Sequence, residues 1–520
     1  MKILNLSLLL MVSFQLTMAQ PDSAAQKFAQ TITEQHLFAH LSYLADDLLE
    51  GRETGERGQQ MAAHYIRTQF MRMGLPGATQ EKDPYFQTYL LGRTNIESID
   101  VSVGNKNYTY REDFFQSGSN VPDKMEGELV FVGYGITEPD YNNLEGLDVK
   151  DKIALAIAGG PTPPEGDISL FNLYRQWRAR GDAFEAAGAK GFMMILPDSI
   201  FQTFSRFVRR RSMSVTTENP SAFPTLLLSE SMGNDILKTG KAKLERLREE
   251  LNQSAKPRDI TFKKAKVSLT SDVEREIKHA ENVMGYLEGT DKKDELIVLT
   301  AHYDHIGINN KGEINNGADD DGSGTSAIIE IAEAFAMAAQ AGYRPRRSIL
   351  FMTVSGEEKG LLGSAFYTEN PIFPLENTVA NLNIDMIGRI DPKYEKLPDS
   401  TNYVYIIGSD RLSSELHEIS EGANQTYTNM VLDYRYNADN DPQRFYYRSD
   451  HYNFAKNDIP VVFYFSGTHE DYHKPTDDVD KIYFGTMTKV ARLVYYTAWD
   501  LANREGRIMV DKKESEGDQK

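Results

Sequence analysis

The 520-residue chain contains no cysteine. That absence removes disulfides, thiolate metal ligands and thiol nucleophiles, and leaves an apolar core and metal held by other side chains as the sources of stability. It also rules out a lipid attached at a cleavage-site cysteine. Positive charge is scarce too: 57 Lys and Arg stand against 76 Asp and Glu, a formal net charge of −19. Such a surface repels phosphate backbones, and nucleic acid is set aside as a partner. The short basic run RFVRRR (206–211) reads as a solvated helix face and does not change this. Beyond the first residues there is no apolar run long enough to span a bilayer, and no internal repeat.

What is present begins with MKILNLSLLLMVSFQLTMAQPD. Lys2, a short apolar stretch and Thr17-Met18-Ala19 fit a signal peptide over residues 1–19, cut after Ala19. The expectation is an exported protein, secreted or periplasmic, with no stable membrane span once the signal is removed; a retained membrane anchor is the competing reading. Hydrophobic content of 40% with 10% aromatics supports a full-sized core, and the length suggests about two domains.

Residues 24–76 show apolar spacing of three and four, broken by a loop at Gly51–Gly58, and predict helices. Alternation over roughly 85–115 predicts strands. GELVFVGYG (127–135), KIALAIAG (152–159) and KGFMMIL (190–196) read as strands, with a helix from Leu170 to Ala187; GGPTPPEGD and the polar stretch 212–222 read as loops. We therefore read 116–274 as a small β-rich insert within a discontinuous domain of 24–115 and 275–508, followed by a polar tail at 509–520. From about 275, near-continuous apolar strands alternate with helices: ELIVLTAH (295–302), SILFMTVS (348–355), ANLNIDMI (380–387), YVYIIGS (403–409) and PVVFYFSG (460–467), with an alanine-rich helix over Ser323–Ala341. This predicts an α/β fold, a three-layer α/β/α arrangement around a mostly parallel, mixed central sheet.

In open α/β sheets, sites form beyond the carboxyl ends of the strands. His302 and Asp304 follow one strand, Glu357 and Glu358 another, Asp385 sits at the end of a third, and His469 and His473 follow a fourth. Asp319, Asp320 and Asp321 stand side by side in NNGADDDGSG, in the loop leading into a helix. Each feature has a bland explanation on its own, such as a surface histidine, a solvated turn or an acidic loop. Asp385 is harder to dismiss, because a charge inside an apolar strand would be buried. Together, two histidines and three carboxylates without a thiol suit a divalent metal of the zinc type. Five ligands exceed what one catalytic zinc uses, so two metals are expected, with one of the three aspartates bridging them and its neighbours orienting it or capping the helix.

AHYDHIG, GADDDGSG, SGEEKGLLGS, NIDMIG, RSDHYNF and DYHKPTDD occur in order with suitable spacing. They resemble the co-catalytic zinc exopeptidases of the bacterial leucyl aminopeptidase and glutamate carboxypeptidase type. The resemblance covers the N-terminal helices and about 275–508, and the insert resembles a protease-associated (PA) domain. It implies two zinc ions per chain: one held by His302 and Asp385, the other by Glu358 and His473, with Asp320 bridging. It further implies Glu357 as general base, Asp304 as the carboxylate that accepts from the second nitrogen of His302, and Tyr472 as stabiliser of the tetrahedral intermediate. Arg448, His451 and His469 are candidate substrate contacts. Asp319 is expected to face solvent or a backbone amide, and His305 to be a rim residue rather than a ligand. The implied activity is hydrolysis of peptide or protein substrates, with an aminopeptidase favoured over a carboxypeptidase or dipeptidase on the same scaffold. A glutaminyl cyclase is disfavoured by Asp321, and a metal-free receptor-like binding protein by the complete ligand set. Oligomeric state is not readable from the sequence.

Overall fold

Alternation along single strands explains the layering. In Lys292–His302, Ile297, Leu299 and Ala301 join one hydrophobic cluster while Leu296 and Val298 join another on the opposite face. Both faces are covered, as the near-continuous apolar strands require. One cluster contains the helices Ser23–Ala29, Glu34–Leu44, Arg57–Arg72, Gly324–Gln340 and Phe484–Asn503; the other contains residues of Leu362–Glu369 and His451–Ala455. The computed structural model describes residues 21–117, 121–138, 140–161, 170–208, 211–218 and 223–513. The signal peptide expected at 1–19 and residues 514–520 of the expected tail lie outside them. Among the described residues no helix is long and apolar enough to cross a membrane.

Among the described residues the central sheet is mixed and has 11 strands. Its middle is parallel, in the order Arg347–Val354, Lys292–His302, Thr378–Ile384, Val461–Phe465. These four carboxyl ends therefore open on one edge. On one side Tyr403–Ile407 joins antiparallel to Val461–Phe465; on the other, Val267–Leu287 joins antiparallel to Arg347–Val354.

Val267–Leu287 and Phe86–Val103 are unusually long and pair antiparallel from Phe86↔Val283 to Val103↔Val267. The ribbon leaves the central sheet and enters a second lobe, whose core takes Ile96, Ile99, Val101 and Val103 from one strand and Val267 and Leu269 from the other. The transition between lobes thus runs within the ribbon. The second lobe is itself α/β, which corrects the expectation of a mainly β insert. Its five-stranded sheet is parallel through Leu129–Phe131, Ile153–Ile157, Gly191–Ile195 and Thr225–Leu228, with Phe114–Gln116 antiparallel at the edge. Helices Leu170–Ala186, Asp198–Phe207, Glu230–Thr239 and Leu244–Gln253 accompany it.

Two further expectations change. The stretch beginning at 212 is not all loop: Arg211–Thr216 pairs antiparallel with Leu90–Asn95 and adds a strand to the central sheet. RSMSVT does alternate, with Met213 and Val215 between Ser212, Ser214 and Thr216, but none of its side chains is fully buried, so the apolar signal is weak and pairing across the fold decides its conformation. Of the basic run 206–211, Arg206 and Phe207 end helix Asp198–Phe207 and Arg211 begins that strand, while residues 209 and 210 lie outside the described residues.

Candidate active site

His302 is the last residue of its strand, Glu357 and Glu358 follow Arg347–Val354 by a short turn, Asp385 directly follows Thr378–Ile384, and His473 lies beyond Val461–Phe465. Parallel pairing brings all of them to one edge. Asp320 reaches the same place from the turn Ala318–Ser323, which precedes helix Gly324–Gln340; the Asp320–Asp321 peptide is cis. The turn begins at Gly317 with φ 57°, where a Cβ would lie 2.3 Å from the Asp320 carbonyl and 2.6 Å from the His305 ring, so a side chain is excluded there.

The carboxylate of Asp320 has a different neighbourhood at each oxygen. Oδ1 lies 3.2 Å from His302 Nε2, which is also 3.7 Å from Asp385 Oδ1 and 3.9 Å from Glu357 Oε2. Oδ2 lies 3.0 Å from His473 Nε2, which is 3.4 Å from Glu358 Oε2. Two nitrogen-and-carboxylate sets thus share one aspartate.

Supporting contacts fix these groups. His302 Nδ1 lies 3.0 Å from the backbone carbonyl of Asp304, and donation there orients the ring with Nε2 towards Asp320. The Asp304 carboxylate is 3.8 Å from that nitrogen, so the expected carboxylate contact is replaced by one to the residue's own carbonyl. The carboxylate instead accepts from Thr54 Oγ1 at 2.6 Å and from the Glu357 amide at 3.2 Å. Asp304 consequently fixes the orientation of His302 through its backbone and the position of Glu357 through its side chain. Asp385 Oδ2 accepts from Ser449 Oγ at 2.7 Å, and that hydroxyl accepts from Asn383 Nδ2 at 2.8 Å.

The flanking aspartates are both buried. Asp321 Oδ1 accepts from the amides of Gly324 and Met386 at 2.8 and 3.0 Å, and Oδ2 from the His302 amide at 3.2 Å. A metal could also be drawn from the grouping of His302, Asp321 and Asp385. Asp320 fits better, since Asp321 is committed to three amides. Asp319 does not face solvent: it accepts from the Gly388 amide at 2.6 Å and lies 3.3 Å from His469 Nε2.

Three other expectations change with burial. His305 is fully buried and no rim residue; it groups with Asp320 and Glu358 as a potential metal-holding set. Its Nδ1 is 2.8 Å from Glu358 Oε1, yet the approach is not aligned as a hydrogen bond, and both atoms are buried without one. His469, packed against Asp319, and His451, fully buried and stacked on Phe463 at 4.6 Å, do not line the recess beside Asp320. That recess is lined by Glu357, Asp385, Met386, Phe445, Arg448, Phe463, Phe465, Thr468 and Tyr472. Arg448 Nη2 lies 3.3 Å from the Tyr472 hydroxyl.

Electrostatics agree with a site built for cations. Burial pushes the Glu357 carboxyl well above its usual range, opposed by His302 and reinforced by Glu358 and Asp385. Burial acts upward on Asp320 too, but hydrogen bonds from His302 and His473 outweigh it and hold that carboxyl well below its ordinary value. His473 is drawn down by burial and raised further by Asp320 and Glu358, to about 10. Histidines that must carry charge to compensate clustered carboxylates stand where cations would do the same work. The residues fit two divalent ions: the donor set is imidazole and carboxylate, and Glu358 Oε1 and His305 Nδ1 are buried side by side without hydrogen bonds.

Sequence reasoning missed several supporting residues. Fully buried Arg52 donates to the carbonyls of Tyr303, Leu44, Asn316 and Gly317, tying the loop before Asp320 to the strand end. Asp477 accepts the amides of Asp319 and Asp320. Thr54 and Ser449 were also unmarked.

Residues 282–498 match peptidase family M28. The matched segment holds every residue named above as a potential ligand. Among curated relatives, the chain is 25% identical over 372 residues to a probable glutamate carboxypeptidase, AMP1, of Arabidopsis thaliana, covering 66% of the chain and 50% of the relative. It is 30% identical over 217 residues to a probable leucine aminopeptidase of Arthroderma otae, covering 41% and 55%. With aminopeptidase YwaD of Bacillus subtilis it shares 24% over 425 residues, covering 76% and 77%. The chain spans about half the length of the first of these relatives. A solved aminopeptidase from Aneurinibacillus sp. strain AM-1 aligns over 94% of this chain and 98% of its own, at 18% identity and a TM-score of 0.47.

Proposed function

We propose that the protein is an exported zinc exopeptidase that removes N-terminal residues from peptides, with two zinc ions per chain. The observation that carries this is the division of Asp320: Oδ1 faces His302 and its neighbour Asp385, Oδ2 faces His473 and its neighbour Glu358. His302, Asp320 and Asp385 would hold one ion, and Asp320, Glu358 and His473 the other. Zinc in those positions supplies an acidified water and polarises the scissile carbonyl.

The remaining work belongs to the chain. Glu357, placed by the hydrogen bond its backbone amide donates to the Asp304 carboxylate, takes a proton from the attacking water and returns it to the leaving amine. Tyr472 donates its hydroxyl proton to the developing oxyanion; burial, then Asp320 and Glu358, push that phenol up, so it keeps the proton it must offer. The recess presents Phe445, Phe463, Phe465 and Met386, which favours an apolar first side chain, while Glu357 and Asp385 face the position for a free α-amine. Export is supported by Lys2, the apolar run and Thr17-Met18-Ala19. The second lobe, inserted after the N-terminal helices, is read as the PA-like insert.

A second reading, a carboxypeptidase or dipeptidase, is favoured by Arg448 at the recess, a cation suited to a substrate carboxylate. A panel of aminoacyl chromogenic substrates, run beside N-blocked and C-terminal ones, tests both. Cleavage requiring a free α-amine supports the aminopeptidase; cleavage requiring a free carboxylate supports the alternative; neither, from zinc-loaded protein, refutes the exopeptidase reading.

A further inference from the structure

Away from the Asp320 centre, the helices Glu34–Leu44 and Gly324–Gln340 pack together and bring a second group of ligand-type side chains into contact. His36 and His40 are spaced i and i+4, so both project from one face of the first helix; Glu330 and Glu333 are spaced i and i+3 on the second. His36 Nδ1 lies 3.3 Å from Glu330 Oε2, and His40 Nε2 lies 3.1 Å from Glu330 Oε1. One ligand atom each from His36, Glu330 and Glu333 lies within 4.8 Å of the others.

Glu330 is 2% exposed, within a helix whose other buried neighbours are Ile328, Ile329, Ile331 and Ala332. Among the described residues no Lys or Arg forms an ion pair with it, so this buried carboxylate relies on imidazoles alone. His36, by contrast, is half exposed and Glu333 is partly exposed, which leaves a path for an ion from solvent. The Tyr65 hydroxyl lies 2.8 Å from His40 Nδ1. That phenol, raised to about 12 chiefly by burial, keeps its proton and can donate it to Nδ1, leaving the Nε2 proton to hold Glu330 Oε1. The arrangement has the form of a ligating carboxylate whose second oxygen is fixed by a hydrogen-bonded histidine.

We propose that His36, Glu330 and Glu333 form a peripheral site for a divalent cation of the zinc class, with His40 and Tyr65 holding Glu330 in place. Nitrogen and carboxylate donors suit zinc better than calcium or magnesium, which prefer all-oxygen shells. The ion sits between His36 Nδ1 and Glu330 Oε2, and water completes its coordination. Arg72, 3.1 Å from Glu333 Oε2, is the competing cation. The site staples the helix Glu34–Leu44 to the helix that begins directly after the Asp320 turn. It involves no residue of the Asp320 centre, so it stands whether or not the peptidase reading does.

The test is calorimetric titration of zinc into the mature chain after zinc loading and desalting, which leaves tightly held ions in place. Wild type is expected to take up one additional ion per chain. His36→Ala and Glu333→Gln should each abolish that uptake while leaving the tightly held zinc content and the peptidase rate unchanged. Asp320→Asn should lose tightly held zinc but keep the additional equivalent, which separates failure of one centre from failure of the other. Identical titrations for wild type and both peripheral variants, whether all bind or none does, overturn the proposal. Loss of the additional ion only together with loss of fold, read by circular dichroism, overturns it equally; His36 is half exposed, so its alanine variant is expected to fold.

Discussion

Asp477 accepts the backbone amide of Asp319 on both carboxylate oxygens, at 3.2 and 3.1 Å, and Oδ2 also takes the amide of Asp320 at 3.2 Å. A side chain 158 residues away thus holds the turn that aims Asp320. Asp477→Asn removes the charge that these amides point at. We expect a loss of roughly 1–3 kcal/mol in stability, as for a buried donor left poorly matched, together with weaker zinc binding. Denaturant melts and zinc content of the desalted variant check this.

The three adjacent aspartates should not respond alike. Asp320→Asn should weaken both metal positions and, with them, metal-dependent stability. Asp321→Asn should destabilise the fold most directly, since it disturbs three amide contacts. Asp319→Asn should also destabilise, through the buried Gly388 and His469 contacts. Equal, small effects on zinc content, melting temperature and peptidase rate would reduce the run to an acidic loop.

The adjacent glutamates divide differently. Glu357→Gln should keep both ions and lower peptidase kcat by roughly 10²–10⁴-fold. Glu358→Gln should instead weaken one ion. Zinc content beside turnover distinguishes them, and the reverse pattern would exchange their roles.

His305→Asn should weaken the ion on the Glu358 side by roughly 10–100-fold, the usual effect of removing a residue that supports a ligand, and spare the one near His302. Competition with a chelator, followed by zinc content, reads this directly.

Burial raises the Glu281 carboxyl to about 7. Its folded value lies above the unfolded one, so the fold favours the protonated form. The stability it contributes is fully present below the ordinary carboxyl range and is lost as pH rises through about 7. The change is on the order of 3 kcal/mol from the ordinary carboxyl to that value. Glu281→Gln should flatten the stability curve across this window, as measured by denaturant melts from pH 4 to 8, and an unchanged curve would refute the assignment.

Much of the site was legible because its ligands sit next to elements with strong local signals. Each of His302, Glu358 and Asp385 adjoins an apolar strand, and Asp320 precedes an alanine-rich helix, so locating the strands located the ligands. The supporting residues carried no such mark. Arg52 contacts Tyr303 and Gly317 from more than 250 positions away, Thr54 reaches Asp304 at a similar distance, and nothing around either residue signals its partner. His305 was visible, yet its burial depends on how the Gly317 turn closes over it, which spacing does not reveal. The strand Arg211–Thr216 carries only a short alternation, with Met213 and Val215 between polar residues, and its pairing with Leu90–Asn95 is what makes it extended.

That strand gives the second lobe a protective role beyond whatever it contributes to substrate handling. Asn95 stands opposite both Arg211 and Glu274, so the lobe is spliced into a hairpin and returns one strand to cover the outer border of Leu90–Asn95. Excising the lobe with a short turn between Asn95 and Glu274 would close the hairpin but strip away Arg211–Thr216. The uncovered border would then offer a row of free amides and carbonyls to the next molecule. The trimmed protein should therefore associate edge to edge and precipitate as its concentration rises, even with every ligand around Asp320 intact.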